Sequence, residues 1–151
     1  MLGPEPLIRA ASVVQGHSTS GVSAVAQRAA LGALGVDRAF LGSVRETLER
    51  RRDTLADALD GVEGVRVGDR PGGAFYLFPR VDELFGRSTP DGTILESGAD
   101  VAGWFLKEAG VAAVPGDGFG EPRCIRLAYP VRGEILREVG SRLSAAVTKL
   151  D

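Results

Sequence analysis

The segment from Val22 to Val36 limits the possible folds of this chain more than any other, because nearly all of its residues are apolar or small. Only Ser23, Gln27 and Arg28 interrupt the apolar surface, so a helix formed here has no continuous polar face for water. Such a helix must be covered on most of its sides. On its own, the chain is therefore expected to expose an apolar patch of the kind that marks an interface.

The composition excludes several classes of protein. With 151 residues, 44% of them hydrophobic, the chain suits one domain or a domain and a fraction, and disorder is excluded. The net charge is −2, and the one basic run, Arg50 to Arg52, is bracketed by acidic residues, so a nucleic-acid partner is not expected. No apolar run approaches the roughly 20 residues that span a bilayer, and the N-terminus has no signal-peptide pattern, so we expect a cytoplasmic protein without a membrane partner. One cysteine and one histidine cannot complete a zinc site, so no metal is expected.

Hydrophobic spacing, glycines and prolines predict an α/β chain whose latter half is an α+β or α/β layered domain. The predicted helices are Glu5–Val14, Val22–Val36, Asp37–Leu59, Asp100–Glu108 and a final helix with Ile135, Leu136, Val139, Leu143 and Val147 on one side. The predicted strands are Val65–Val67, Ala74–Phe78, Val111–Val114 and Cys124–Tyr129. We expect Asp37 and Asp100 to cap their helices, and Gly110 to end the helix that Asp100 begins.

The strand Cys124–Tyr129 carries the side chain most suited to binding a ligand. Strand alternation separates three large side chains from three other residues: Ile125, Leu127 and Tyr129 oppose Cys124, Arg126 and Ala128. Arg126 then projects among small neighbours that leave room for an anion, and a guanidinium binds a carboxylate through two parallel hydrogen bonds. Without further information, the strand pattern favours the alternative of an internal ion pair or a solvated arginine at a sheet edge.

The polar string Gln15–Gly21 precedes the apolar helix and is predicted to be a loop. Hydroxyls and free amides at a helix N-terminus suit a phosphate or a carboxylate. Simple N-capping by Ser20 or Ser23 is the alternative, and the residue pattern favours it. Lys107 and Lys149, the only lysines of the chain, are expected on the surface.

Five successive segments of the chain resemble the C-terminal part of the class I/II aminotransferases, which are fold-type I pyridoxal phosphate enzymes. The segments are GPEPLIRAASVVQGHSTSGVSAVAQRAALGAL, RRRDTLADAL, PGGAFYLFP, GVAAVPGDGFG and IRLAYP, in the family's order and spacing. The resemblance runs through essentially the whole chain. It implies that residues 1–40 are the tail of the large cofactor domain, 41–62 a bridging helix and 63–151 the small C-terminal domain.

The resemblance also implies roles for individual residues. Arg126 matches the arginine that binds the α-carboxylate of the amino or keto acid substrate. Gly73 and Phe75 match the segment that lines the substrate entrance. A loop that reaches the neighbouring subunit's site in the family's dimer matches His17, Ser18 and Thr19.

The segments that hold the cofactor in this family have no counterpart in the sequence. The Schiff-base lysine, the phosphate-binding arginine, the aspartate of the pyridine nitrogen and the phosphate cup all precede the matched segments, and neither Lys107 nor Lys149 matches the lysine. The resemblance therefore implies a split enzyme, in which a large-domain subunit carries the lysine and holds most of the pyridoxal 5'-phosphate. We expect a heterodimer or a dimer of heterodimers, inactive without the partner. The position of Met1 ahead of the matched segments favours a natural subunit over a truncated enzyme.

Two alternatives to the split enzyme remain open. The first is a non-catalytic regulatory or binding subunit derived from an aminotransferase, which would form a complex without affecting turnover. The second is a fragment of a longer enzyme, which would aggregate as a monomer.

Overall fold

The computed structural model describes residues 2–151, and the chain divides into two compact units. The first unit ends at Gly42, and the second unit is Ser43–Asp151. The helices and strands of the described residues are α1 Glu5–Ser18, α2 Ala24–Leu34, α3 Arg38–Asp60, β1 Tyr76–Leu77, α4 Gly98–Trp104, β2 Val114–Pro115, β3 Ile125–Ala128 and α5 Gly133–Val147. Helices and a sheet occur together, as the predicted α/β class requires.

The helices of the first unit lack a core of their own. Neither α1 nor α2 contains a buried residue. In α2 the side chains of Val25 and Leu34 are 79% and 85% exposed, and Leu31 is exposed as well. The expectation that this apolar helix forms an exposed patch in the isolated chain is confirmed.

Helix α1 is longer than predicted, because it continues through residues that were expected to form a loop. It ends at Ser18, with Thr19 at its C-cap, so His17 and Ser18 lie in the last helical turn. Glutamine, histidine and serine are compatible with a helix, and the Ser18 hydroxyl donates a hydrogen bond to the Val14 carbonyl one turn earlier at 2.9 Å. The predicted loop Gln15–Gly21 is therefore wrong over its first four residues.

The long helix α3 begins where the sequence predicts. The Ala39 backbone N–H donates to Oδ1 of Asp37 at 3.0 Å, which confirms Asp37 as the N-cap. The polar middle of α3 is less solvated than expected, since the Arg52 side chain is 18% exposed. Its Nη1 donates to the Pro71 carbonyl at 2.9 Å, so this helix holds the turn that precedes β1.

The second unit contains a three-stranded antiparallel sheet in the order β1-β3-β2. Leu77 pairs with Leu127 on one side of β3, and Val114 pairs with Arg126 on the other. The strands are shorter than predicted. The segment Val65–Val67 contributes only an isolated bridge at Arg66, and the expected buried strand Val111–Val114 is wrong, because pairing begins at an exposed Val114.

Helix α4 has a reciprocal N-terminal cap. Ser97 is the N-cap, and its Oγ accepts from the Asp100 N–H at 3.2 Å, while the Asp100 carboxylate accepts from Ser97 Oγ and from the Glu96 N–H. The prediction that Asp100 is the N-cap is wrong by three residues. After Trp104 the helix widens into one π-turn and ends at Gly110, whose φ of +64° confirms the predicted stop.

Buried side chains of the sheet, α3, α4 and α5 form the hydrophobic core of the second unit. Its largest fully buried side chains include Phe105, Leu55, Leu59, Ile125 and Leu143. Trp104 is also buried, and its Nε1 donates to the Ala146 carbonyl at 3.2 Å. Ile135, predicted on the buried side of α5, is instead half exposed.

Helices α3 and α5 meet at a glycine. A Cβ on Gly140 would lie 2.2 Å from the Ala58 carbonyl oxygen, so only glycine allows this approach. Within residues 2–151, none of the helices combines the length and the apolar character that crossing a bilayer demands.

Candidate carboxylate-binding site

Arg126 projects from the outer face of the central strand. Ile125 and Leu127, its neighbours in β3, are buried, whereas Arg126 is half-buried and Ala128 is exposed. The predicted alternation is confirmed over Ile125–Ala128, but Cys124, predicted on the same face as Arg126, is buried. The helices and the core hold one face of β3, so the backbone that carries Arg126 is fixed from behind.

The guanidinium of Arg126 contacts two aromatic rings and no carboxylate. Its Cζ lies 4.3 Å from the ring centroid of Tyr76 and 4.4 Å from that of Phe119. In the part of the chain that the structure describes, the Arg126 side chain makes neither an ion pair nor a hydrogen bond, so an internal ion pair is excluded there. The expectation that only small residues surround the Arg126 side chain is wrong. Two large rings contact it, and they come from segments other than its own strand. The N–H groups at the edge of the guanidinium are left for a ligand.

Tyr76 reaches Arg126 because β1 pairs with β3. The backbone before β1 is fixed by two hydrogen bonds from Tyr129, whose N–H donates to the Phe75 carbonyl at 3.0 Å and whose hydroxyl donates to the Ala74 carbonyl at 3.1 Å. Burial raises the pKa of the Tyr129 hydroxyl, so it stays protonated and remains a donor at neutral pH. Ala74 has a φ of +60°, a left-handed conformation that costs free energy for a residue with a side chain.

Phe119 reaches Arg126 from the side of β3 opposite β1. It lies on a 3₁₀ turn over Gly116–Phe119, which directly follows β2. The Gly116 N–H donates to the Cys124 carbonyl at 2.9 Å, and a Cβ at this position would lie 2.1 Å from the Glu121 carbonyl oxygen. Gly120 closes the turn with a φ of +78°. The turn thus packs too closely against the start of β3 for any residue but glycine at 116.

Two further phenylalanines extend this aromatic cluster. The Phe75 ring lies 4.4 Å from the Tyr76 ring, and the Phe78 ring meets that of Phe119 edge-on at 6.0 Å. All three phenylalanines are exposed to solvent. Exposed aromatic rings around an unpaired cation are suited to an organic anion with an apolar part.

The structure brings some of the predicted site residues together. Phe75 contacts Tyr76, and Tyr76 in turn contacts Arg126. Gly73 is exposed on the turn before β1, with open space where a side chain would project. His17, Ser18 and Thr19 are exposed residues of the first unit.

Tyr76 and Phe119 are the site residues that the sequence analysis missed. Tyr76 lies in the predicted strand Ala74–Phe78, and neither residue was predicted to contact Arg126. One signal was available for Phe119, since it is the only large apolar side chain in the run Gly116–Gly120. An aromatic residue placed among glycines, where no core needs it, is a candidate for a contact with a ligand or a functional side chain.

Neither lysine of the chain is available as a nucleophilic amine. Lys107 Nζ lies 2.7 Å from Asp91 Oδ2, which raises the pKa of the lysine, and Lys149 pairs with Glu108. Both side chains are largely exposed. The residues from 2 to 151 therefore do not fit pyridoxal phosphate by themselves, although they fit the carboxylate of a substrate. They also contain no cluster of three or more histidine, cysteine, aspartate or glutamate side chains that could hold a metal ion.

A comparison with known families identifies the relatives of this fold. The model of the family "Aminotransferase class I and II" matches residues 1–141. The chain belongs to the class I and II aminotransferases. This agrees with the resemblance that its sequence segments show, and pyridoxal phosphate is the cofactor of the family's members.

Individual aminotransferases match almost the whole chain. The aspartate/prephenate aminotransferase of Cereibacter sphaeroides is 38% identical over 143 residues, which are 95% of this chain and 36% of that protein. The crystal structure of the aspartate aminotransferase from Rhizobium meliloti has a TM-score of 0.84 and 35% identity, with 99% of this chain and 37% of that one covered. The aromatic aminotransferase from Pyrococcus horikoshii has a TM-score of 0.75 and 27% identity, and covers 97% of this chain.

The aminotransferase fold is present here only in part. The chain spans a little over a third of the length of these relatives and corresponds to their C-terminal portion. The C-terminal portion of the fold-type I architecture is thus the fold of this chain.

Proposed function

We propose that this chain supplies the substrate-carboxylate arginine of a pyridoxal phosphate-dependent aminotransferase that acts on an amino acid and a 2-keto acid. In this proposal a second chain, the large-domain subunit, supplies the Schiff-base lysine and holds most of the cofactor. The observation that carries the proposal is the Arg126 guanidinium, which contacts two rings and has no acidic partner within residues 2–151.

An unpaired arginine on a fixed strand is suited to recognise a carboxylate. Two parallel charge-assisted hydrogen bonds fix both the position and the orientation of a bound carboxylate, and each stabilises it by about 1.5–3 kcal/mol. Orientation of the substrate in this way lowers the barrier of the following chemical step. The role of this chain is therefore to bind and orient the substrate.

The turn before β1 is proposed to line the substrate entrance. Phe75 is exposed beside Tyr76, and the exposed Gly73 leaves open space next to it. Hydrogen bonds from Arg52 and Tyr129 to this turn keep it in place. His17, Ser18 and Thr19 are proposed to reach a neighbouring subunit's site, which their exposure in the first unit permits.

A two-chain assembly is supported by the first unit. Helix α2 exposes apolar side chains on most of its sides, and the relatives of this chain have a further part of the fold that could cover them. Both lysines of the chain are largely exposed and paired with carboxylates, which supports a Schiff-base lysine supplied by the second chain.

The proposal is tested by purifying the tagged chain with the protein that it binds in its source cells. The expected product is a yellow complex whose visible absorbance shifts when aspartate, the amino acid named in its relatives, or another amino acid is added. Arg126→Ala should lower kcat/KM by about 100-fold or more, because one carboxylate is left without its cation. Arg137→Ala, at an exposed arginine of α5, serves as the matched control and should change kcat/KM less than twofold.

The other outcomes are distinct. Unchanged substrate affinity in the Arg126→Ala complex contradicts the assigned role of this residue. A stable complex that binds no cofactor and shows no turnover favours the regulatory subunit instead. An aggregating chain without any partner favours a fragment of a longer enzyme.

A further inference from the structure

We propose that Tyr76 and Phe119 are positioning residues that hold the Arg126 guanidinium against their rings, so that its N–H edge is presented to the substrate carboxylate. We call these two residues the aromatic pair. The inference rests on the proposed function, because it takes Arg126 to be the residue that binds the carboxylate.

The contact distances support a cation–π role for the aromatic pair. Both ring centroids lie well within the roughly 6 Å over which a guanidinium is attracted to an aromatic ring, at 4.3 Å and 4.4 Å from the Arg126 Cζ. A ring stacks on the flat face of a guanidinium and leaves the in-plane N–H groups unoccupied. The aromatic pair therefore fixes Arg126 without competing for the hydrogen bonds that a carboxylate needs.

Among residues 2–151, the two rings are the groups that orient the Arg126 side chain. An arginine that is held only by its strand backbone keeps several rotatable bonds, and binding a ligand would then have to order them. Within residues 2–151 no carboxylate or carbonyl forms a hydrogen bond with it. Ordering by the rings in the free protein removes that cost from the binding step.

The backbone conformation holds each member of the aromatic pair in place, in a different way for each ring. Tyr76 is fixed by pairing with Ala128 across β1 and β3. Phe119 is fixed by the 3₁₀ turn, which the close approach at Gly116 and the positive φ of Gly120 require. Phe119 is 50% exposed, so the core does not account for an aromatic residue at this place. The contact with Arg126 accounts for the aromatic residue at position 119.

The test uses the full chain labelled with ¹⁵N, with the Arg126 Nε–H signal assigned through Arg126→Lys. Order parameters of this group and its response to propionate, a simple carboxylate probe, are measured for the wild type and for Phe119→Leu and Tyr76→Leu. We expect a wild-type order parameter close to the rigid-backbone value of about 0.85, and values below about 0.6 in the leucine variants. The dissociation constant for propionate should rise about three- to tenfold in each leucine variant.

Conservative variants separate positioning from a general structural effect. Phe119→Tyr and Tyr76→Phe keep a ring and should retain both the order parameter and the propionate affinity within twofold. Circular dichroism and thermal unfolding check that the leucine variants fold.

The two proposals fail in different ways. Leucine variants that keep a rigid Arg126 and an unchanged propionate affinity overturn the aromatic pair while the proposed function stands. A folded wild type that does not bind propionate at Arg126 contradicts the proposed function, and the order parameters still decide whether the rings hold the guanidinium.

Discussion

Helices α2 and α5, which lie in the two different units, differ in how many of their apolar residues are buried. Helix α2 is made almost entirely of apolar and small residues, yet none of them is buried. Helix α5 has a polar face as well as an apolar one, and five of its residues are buried, namely Leu136, Gly140, Leu143, Ala146 and Val147. The apolar face of an amphipathic helix can pack against its own chain, while its polar face contacts water. A helix without a polar face needs additional cover, which residues 2–151 do not provide.

The same substitution in the two helices should have very different effects on stability. Leu143 is fully buried and Leu34 is 85% exposed. We expect Leu143→Ala to lower the free energy of unfolding by about 2–5 kcal/mol, since it removes transfer energy and leaves a cavity. Leu34→Ala should change it by less than about 0.5 kcal/mol in the isolated chain. Urea unfolding followed by circular dichroism measures both.

A second chain bound to α2 would sharpen the comparison between these two leucines. If a second chain covers α2, Leu34→Ala should weaken the complex while the isolated chain keeps its stability. If both variants destabilise the isolated chain by similar large amounts, Leu34 is buried in solution and the difference between the two units is contradicted.

Glycine-to-alanine substitutions should have opposite signs in the two helices. At Gly140 the added methyl would overlap the Ala58 carbonyl of α3, so we expect a loss of about 1–3 kcal/mol. At Gly32 in α2 the added methyl would meet no atom within 4 Å beyond the backbone of its own helix, and alanine should stabilise the helix by up to about 1 kcal/mol. Thermal unfolding of the two variants gives the signs directly. A stabilising Gly140→Ala would mean that α3 and α5 do not approach closely.

Helix caps also differ between the units, and their loss should have a smaller effect. Ser97→Ala removes the hydroxyl that caps α4 and should lower the free energy of unfolding by about 1 kcal/mol. Ser23 occupies the N-cap of α2 without a side-chain hydrogen bond, so Ser23→Ala should have almost no effect. Denaturant titrations of both variants at one pH provide the comparison.

The pH dependence of the α4 cap should be the smallest of these effects. Hydrogen bonds from Ser97 and then from the Glu96 N–H hold the pKa of Asp100 below its ordinary value. A lowered folded-state pKa means that the contribution of Asp100 is present above the unfolded-state pKa of about 3.9 and is lost as the pH falls through the folded-state value. As the pH falls from about 5 to below the unfolded-state pKa, the wild type should lose more stability than Asp100→Asn, because the amide has no charge to lose. Parallel pH profiles for the two proteins would contradict this contribution.

Features that depend on neighbouring residues were predictable from the sequence. Asp37 caps α3 and Gly110 ends α4's continuation because a cap and a left-handed stop are formed within one turn of the chain. The end of α1 was mispredicted for the opposite reason. Its polar last turn is compatible with both a helix and a loop, and only the finished hydrogen bonds decide between them.

Features that depend on distant residues were predictable only in part. Alternation alone places Arg126 on the outer face of β3, and that prediction holds. Its aromatic neighbours come from β1 and from the 3₁₀ turn, and their arrival depends on strand register and on the tight packing at Gly116. No local pattern carries that information, so Tyr76 and Phe119 emerge only from the folded arrangement.

The position of Trp104 determines what intrinsic fluorescence can reveal about this protein. The sequence contains one tryptophan, and it is buried in the second unit with its indole N–H bonded to the Ala146 carbonyl. Its emission will change when the second unit melts. Tryptophan emission therefore reports on the second unit, and direct observation of α1 and α2 requires a dye attached to the first unit.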